Sequence, residues 1–249
     1  MQPILTIALR AAQSAAEKLN YTVSSIASLT ADGTSRKEIF DKAMEDAAWR
    51  ARKVIRSAHT RHHIDSVQLG KEDSRDWDGQ SRWVIDVAAG EHNLRNGYPG
   101  FLVNVALYTK DKIDCVALVD PMTEDYMVAS RGRGVHFIDR RVRVEYVPLA
   151  QAICGIATND MALLSKWHEA AYDIRITGCA LYDFVNLAAG RVHVAIAQQM
   201  SPADLASALL IVQEAGALTG DAQGNPIKMD RGELLAANPR LFKQLFSKG

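Results

Sequence analysis

Cysteine is scarce: Cys115, Cys154 and Cys179 are the only three in 249 residues. They stand too far apart for a CxxC metal or redox motif, and an odd number argues against a disulfide framework and for a reducing compartment. Cys115 lies inside the apolar run Ile113 to Val119, where a small buried residue fits. Net charge is missing as well. Lysine plus arginine (29) equals aspartate plus glutamate (29), so the basic footprint of a nucleic-acid binder is absent. The short runs Arg131-Gly-Arg133 and Arg140-Arg-Val-Arg143 read as solvated hairpin charges. No segment reaches the roughly 18 apolar residues of a membrane span. The first 19 residues are amphipathic instead, with Ile4, Ala8, Ala11, Ala12, Ala15, Ala16 and Leu19 at helical spacing. A cytoplasmic protein without membrane contact is expected. Histidines in metal-ligand spacing are also lacking. His62 and His63 are adjacent, and His92, His136, His168 and His193 are isolated, so core or surface roles are expected of them.

What is present is an ordinary supply of core. Hydrophobic residues make up 48% of the chain, enough for one large α/β domain or two small ones. Two helices open the chain, the second carrying Ile39, Phe40, Ala43, Met44, Ala47, Ala51, Val54, Ile55 and Ala58 on one face. Between them runs a Ser/Thr/Gly-rich stretch, 22–35. Residues 59–81 are polar and rich in turn formers, which fits either a loop or an edge hairpin. Strand signals then follow closely at 83–86, 101–108, 113–119 and 125–129, with Lys110-Asp111-Lys112 as a turn, and 131–144 continues as a hairpin. Beyond Pro148 the pattern changes to α/β alternation. Helices are expected at 161–172, 181–189 (closed by Gly190), 203–215 and 239–246, and strands at 192–197 and 234–237. The chain thus reads as one domain, 1–249, with a helix-pair-plus-meander half, 1–148, and an α/β half, 149–249.

Four stretches share their residues with a known family. They are Trp83-Val-Ile-Asp86-Val-Ala-Ala89-Gly90-Glu91-His-Asn93; Val119-Asp-Pro121 with Ala129-Ser-Arg-Gly-Arg-Gly134; Arg175-Ile-Thr-Gly178-Cys-Ala with Asp183 and Ala188-Ala-Gly190-Arg191-Val; and Pro202-Ala203-Asp204-Leu-Ala running on to Glu214-Ala-Gly216. In order and spacing the chain resembles the inositol monophosphatase family, and its opening residues resemble the SuhB-like bacterial branch. The resemblance implies the layered α-β-α-β-α sandwich of the lithium-sensitive phosphatases, an α/β fold, and a homodimer. The segment from Thr158 to Arg175 is shorter here than in the family.

The same resemblance implies a chemistry and shows what this chain lacks for it. Family members hydrolyse phosphate monoesters with magnesium, which needs hard oxygen ligands in near-octahedral array to polarise the phosphoryl group and activate water. Asp86 stands at the family's first aspartate and Asp204 at the later one. Ala89 replaces the second aspartate, and Glu91 replaces the threonine that orients the water. The family's upstream acidic pair falls on Gln68-Leu69, unless Glu72-Asp73 is read as a shifted pair. Asp41 fits the acidic position on the second helix, while the threonine and lysine before it map to Glu38 and near Ala31. The sugar-contacting glutamate falls on Ala197.

Losing a positioned general base costs about 10²–10⁴ in rate. Loss of the metals' Lewis-acid role comes on top of that. No catalytic residue is therefore assigned with conviction: Gln68, Glu91 and Asp41 only occupy family positions. Asp86 and Asp204 remain as a weak, residual metal pair to which Glu91 could add a ligand. Each aspartate has a structural reading too, Asp204 as a helix N-cap or first-turn acid and Asp86 as an acceptor of backbone N–H groups. A cofactor is not expected, beyond weak Mg²⁺.

Two functions stay open. One is a dimeric binding or regulatory protein that has lost phosphatase activity and acts with a protein partner. The SuhB-like resemblance implies transcription antitermination factors as that partner, with direct contact to nucleic acid not expected. The other is a Mg²⁺-dependent phosphatase acting on inositol phosphate or another small phosphorylated molecule through an altered metal site.

Overall fold

The structure, a computed structural model, describes residues 2–246. The chain divides into two compact units, Met1–Ser130 and Arg131–Gly249.

In the first unit, α1 (Pro3–Ser24) packs on α3 (Arg36–Ala58), with the short turn of helix α2 (Ile26–Leu29) between them. The contact is built largely from alanine: Ala8, Ala11, Ala12 and Ala15 on α1 and Ala47, Ala48 and Ala51 on α3 are all fully buried. Small side chains let the two helix backbones approach closely. Helix α3 starts where a capping box dictates. Ser35 Oγ accepts the Glu38 N–H at 3.2 Å, and the Glu38 carboxylate accepts the Ser35 N–H at 3.4 Å. Glu38, at the family's threonine position, is therefore a helix cap here.

Beside the helices lies a sheet of β1 (His63–Ser66), β2 (Gly70–Glu72), β3 (Ser81–Ala89), β4 (Leu102–Thr109), β5 (Lys112–Val119) and β6 (Tyr126–Ser130), in the order β2-β1-β3-β4-β5-β6. The polar stretch 59–81 resolves as an edge hairpin, β1 with β2, and β1 runs parallel to β3. The turn from β4 to β5 places Lys110 (φ 50°) and Asp111 (φ 61°) in the left-handed region, the twist-matched geometry of a two-residue hairpin. Trp83, Ile85 and Val87 point from β3 into the core beneath α1 and α3.

The second unit opens with the hairpin of β7 (Gly134–Phe137) and β8 (Arg140–Val142). Glu214 accepts the N–H groups of Gly132 (2.5 Å) and Gly134 (2.6 Å), and Val144 N–H donates to Ala215 O. A sheet in the order β10-β9-β11-β13-β12 follows, from β9 (Ile153–Ala157), β10 (Asp173–Arg175), β11 (Val194–Ala197), β12 (Leu218–Gly220) and β13 (Leu234–Ala237). Helix α6 (Ala180–Ala188) packs on β9, β11 and α7 (Pro202–Glu214), while α5 (Met161–Ala170) meets β10 and α8 (Pro239–Phe246) meets β12 and β13. Sequence pattern missed β9, β10 and β12: two are three residues long, and β9 carries Cys154 and Gly155 where branched residues would signal a strand.

Candidate functional site

Local structure in the first unit brings several of the singled-out residues together. Strand β3 pairs with β4 in antiparallel register until Asp86 meets Asn104; the next pair is Ala89 with Leu102, so the register shifts there by one residue. A bulge of this kind ends regular pairing and turns side chains aside. Beyond it Gly90, at φ 89°, occupies the left-handed conformation that starts the short helix α4 (Glu91–Asn96).

Gln68 sits in the turn between β1 and β2, just past the end of β1, which pairs with β3. Its Nε2–H donates to Asp86 Oδ1 at 3.0 Å, and its Oε1 accepts the Val87 N–H at 3.3 Å. Asp86 Oδ1 also accepts the Ala88 N–H at 2.9 Å. Two neutral donors thus converge on one carboxylate oxygen. A glutamate at 68 could supply neither the Nε2–H nor a neutral neighbour to Asp86. Ala89, buried at the end of β3, adds no polar group.

Glu91 opens α4, and Arg95 lies one turn later, at the spacing where helix side chains meet. Arg95 Nε donates to Glu91 Oε1 at 2.6 Å, and Arg95 Nη2 pairs with Asp41 Oδ1 on α3 at 2.5 Å. Lys37 Nζ takes the other oxygen of Asp41 at 2.6 Å. Arg36 Nε donates to the Arg95 carbonyl at 2.6 Å, which ties α4 to the start of α3. The bonds from Lys37 and then Arg95 hold the Asp41 carboxyl below the usual carboxylate range. Two carboxylates at family positions are therefore neutralised by side-chain cations. Sequence reasoning did not single out Lys37 or Arg95; the available signal was a cation four residues after Glu91, visible once 91–96 is known to be helical.

Glu72 and Asp73, the shifted-pair reading, are committed elsewhere. Glu72 pairs with Arg56 at 2.7 Å and Arg52 at 3.3 Å, and Asp73 with His63 at 3.4 Å. Among the described residues, no three His, Cys, Asp or Glu side chains come together as a metal-binding group.

In the second unit Asp204 lies in the first turn of α7, half-buried, and its N–H donates to the capping Ser201 Oγ at 3.1 Å. Ala197, at the sugar-contacting position, is the buried last residue of β11. Past the ends of β9 and β11 lies a polar cavity of about 490 Å³, walled by Thr158, Asn159, Asp160, Gln198 and Gln199 among others. Asp183 of α6 is a buried acid of this unit. Burial pushes its carboxyl up to about 7, against the Thr177 hydroxyl that donates to Oδ1 at 2.9 Å, and Oδ2 has no partner. All three cysteines are buried and reduced, and burial raises the thiols of Cys115 and Cys154 to about 12.

Two sheets with flanking helices, a strand bulged just after Asp86 and an aspartate in the first turn of α7 define a mixed α/β layered fold of the phosphatase type. The chain belongs to the inositol monophosphatase family, whose profile matches residues 1–248. Among curated relatives, it is 31% identical to "Nus factor SuhB" of Pasteurella multocida over 100% of this chain and 96% of that protein. It is 29% identical to "Nus factor SuhB" of Vibrio cholerae over 98% and 95%. Among solved structures, the extragenic suppressor protein suhB from Bartonella henselae superposes with a TM-score of 0.85 at 22% identity, covering 100% of both chains. An inositol monophosphatase from Anabaena gives 0.82 at 22% identity, over 98% and 93%. The chain is therefore a SuhB-like member of the family. No helix among the described residues is long and apolar enough to cross a membrane.

Proposed function

We propose that this protein is a SuhB-like binding or regulatory protein that has lost magnesium-dependent phosphatase activity and works as a homodimer with a protein partner in transcription. The observation that carries the reading is the Gln68 amide on Asp86. A magnesium ligand must turn its lone pairs toward a cation, and here an amide N–H and a backbone N–H already use Oδ1. The cation at Asp41 and Glu91 is Arg95, so those carboxylates carry little charge left to balance a dication. The residues of the first unit do not fit a magnesium centre. The partner reading rests on the relatives that bear the name Nus factor.

The test joins two measurements on the whole protein. Calorimetry with Mg²⁺ or Mn²⁺ should show no saturable binding, and inositol monophosphate hydrolysis should stay at background. Complementation of a deletion strain by Asp86→Ala, Glu91→Ala and Asp204→Ala should remain near wild type at equal protein abundance. Turnover in the ordinary enzyme range of about 1–10³ s⁻¹, or loss of complementation in all three variants, would restore the catalytic reading.

A further inference from the structure

The stretch 131–143, which forms the β7–β8 hairpin, takes no part in the site described above. It carries five arginines against one acid, Asp139, in a chain whose total charge is balanced, and all five arginines are exposed. The hairpin is fastened within the second unit. Glu214 accepts the Gly132 and Gly134 N–H groups. Past β8, the Val144 N–H donates to Ala215 O, and Asn238 Nδ2 donates to Val144 O at 3.3 Å. Arg141 lies against Gly134, where a Cβ would meet its Nε at 2.8 Å.

Charge and backbone are both left open along β8. Among the described residues, Arg140, Arg141 and Arg143 form no ion pair. Strand β8 pairs with β7 through Phe137 opposite Arg140 and His136 opposite Arg141. The turn between them is Ile138-Asp139, with Ile138 at φ 55°, and such a two-residue turn is closed by a hydrogen-bonded pair, Phe137 with Arg140. Antiparallel pairs alternate, so His136 and Arg141 are a non-bonded pair, and the Arg141 N–H and C=O point away from β7. Neither has a backbone partner on that side among the described residues. Alternation also puts Arg140 and Arg141 on opposite faces of the strand, so cations flank the open edge on both sides.

We infer that the open edge of β8 docks an extended acidic segment of a protein partner, which adds to the hairpin as a strand and sets its carboxylates against Arg140, Arg141 and Arg143. Strand addition supplies the donor and acceptor that the Arg141 peptide groups lack, and the planar fork of arginine suits carboxylates. A second copy of the same edge is disfavoured, because it brings arginine against arginine. A nucleic acid answers the charge but has no peptide edge to pair. The hairpin also exposes no ring for a base to stack on: Phe137, its one Phe, Tyr or Trp, is 6% exposed, with Arg191 Cζ over it at 4.8 Å. The inference stands on the second unit and does not depend on the proposed loss of phosphatase activity.

The probe is a capped, fluorescein-labelled peptide of repeating Glu-Glu-Val, titrated with the full chain and followed by anisotropy at about 0.1 M salt. Saturable binding is expected. A backbone N-methylated form keeps every carboxylate but loses strand pairing, and should bind about tenfold more weakly. Arg140→Gln combined with Arg143→Gln should also cost about tenfold. The melting temperature should stay unchanged, since both side chains are exposed and Arg141 keeps its place on Gly134. A uridine oligonucleotide of equal charge should bind more weakly than the peptide. No saturable peptide binding by the wild type, or equal binding by wild type and the double variant, would overturn the docking edge. Equal affinity for the N-methylated peptide would overturn strand addition, and an oligonucleotide that binds as tightly as the peptide would overturn the protein partner in favour of nucleic acid.

Discussion

The side-chain amide of Gln68 bridges Asp86 and the backbone after it: its N–H reaches Asp86 Oδ1 at 3.0 Å and its oxygen takes the Val87 N–H at 3.3 Å. One residue on the edge hairpin therefore fixes the rotamer of the carboxylate at the bulge and occupies its Oδ1. The parallel register of β1 and β3, Ser66 beside Ile85, sets this meeting.

Gln68→Glu reverses it. A second carboxylate would stand within hydrogen-bond reach of Asp86, exchanging a donor for a like charge, at a cost of about 1–3 kcal/mol. We expect a lower melting temperature in metal-free buffer and partial recovery in millimolar Mg²⁺, with the wild type unmoved by magnesium. Thermal melts of both proteins check this; a wild-type rise as large as the variant's would refute it.

Acid should loosen the edge of the first unit. His59 and His62 stack with centroids 4.5 Å apart, and His62 Nδ1 accepts the Trp83 indole N–H at 3.0 Å. Burial lowers both histidines, and their mutual repulsion, with Arg56 nearby, lowers His62 further despite Asp78 on its other side. A lowered folded-state value means the unfolded chain binds protons first. Stability is therefore full above about pH 6.5, the unfolded value, and falls as pH drops toward the folded values. Urea midpoints at about pH 7.5 and 5 should separate. His62→Gln, which keeps an acceptor for Trp83 but cannot ionise, should show a smaller separation, and an unchanged one would refute the assignment.

Asp183 acts with the opposite sign. Burial raises its folded-state value to about 7, so the folded chain holds this proton more tightly than the unfolded one. Its contribution is full below the unfolded carboxylate value, declines as pH rises, and levels off above about 7. The span corresponds to at most a few kcal/mol. Asp183→Asn should flatten stability between about pH 4 and 8. Denaturation at several pH values reads this directly, and a slope as steep as the wild type's would assign the effect to another group.

Gly155 faces the same carboxylate across the β9–α6 contact, where an added Cβ would meet Asp183 Cβ, Cγ and Oδ1 at 3.0–3.1 Å. Its φ is not in the left-handed region, so the constraint is space rather than backbone strain. Gly155→Ala should cost about 1–3 kcal/mol through overpacking. Gly155→Ala combined with Asp183→Ser should recover part of that, measured as a double-mutant cycle; strict additivity would show that the two do not press on each other.

Periodicity alone determined the two opening helices, the run of antiparallel strands and the later alternation, because each is long enough for its apolar spacing to stand above chance. The order of motifs around Asp86, Asp183 and Asp204 determined the family, and with it the replacement of acidic positions by Gln68, Ala89 and Ala197. Only the tertiary structure decided what those replacements do. That Gln68 donates to Asp86 depends on the pairing of β1 with β3, and that Arg95 holds both Glu91 and Asp41 depends on α4 lying against α3. Likewise, the raised carboxyl of Asp183 follows from burial. Such contacts join residues from different elements, and electrostatics depends on distance and desolvation, neither of which is written in local spacing.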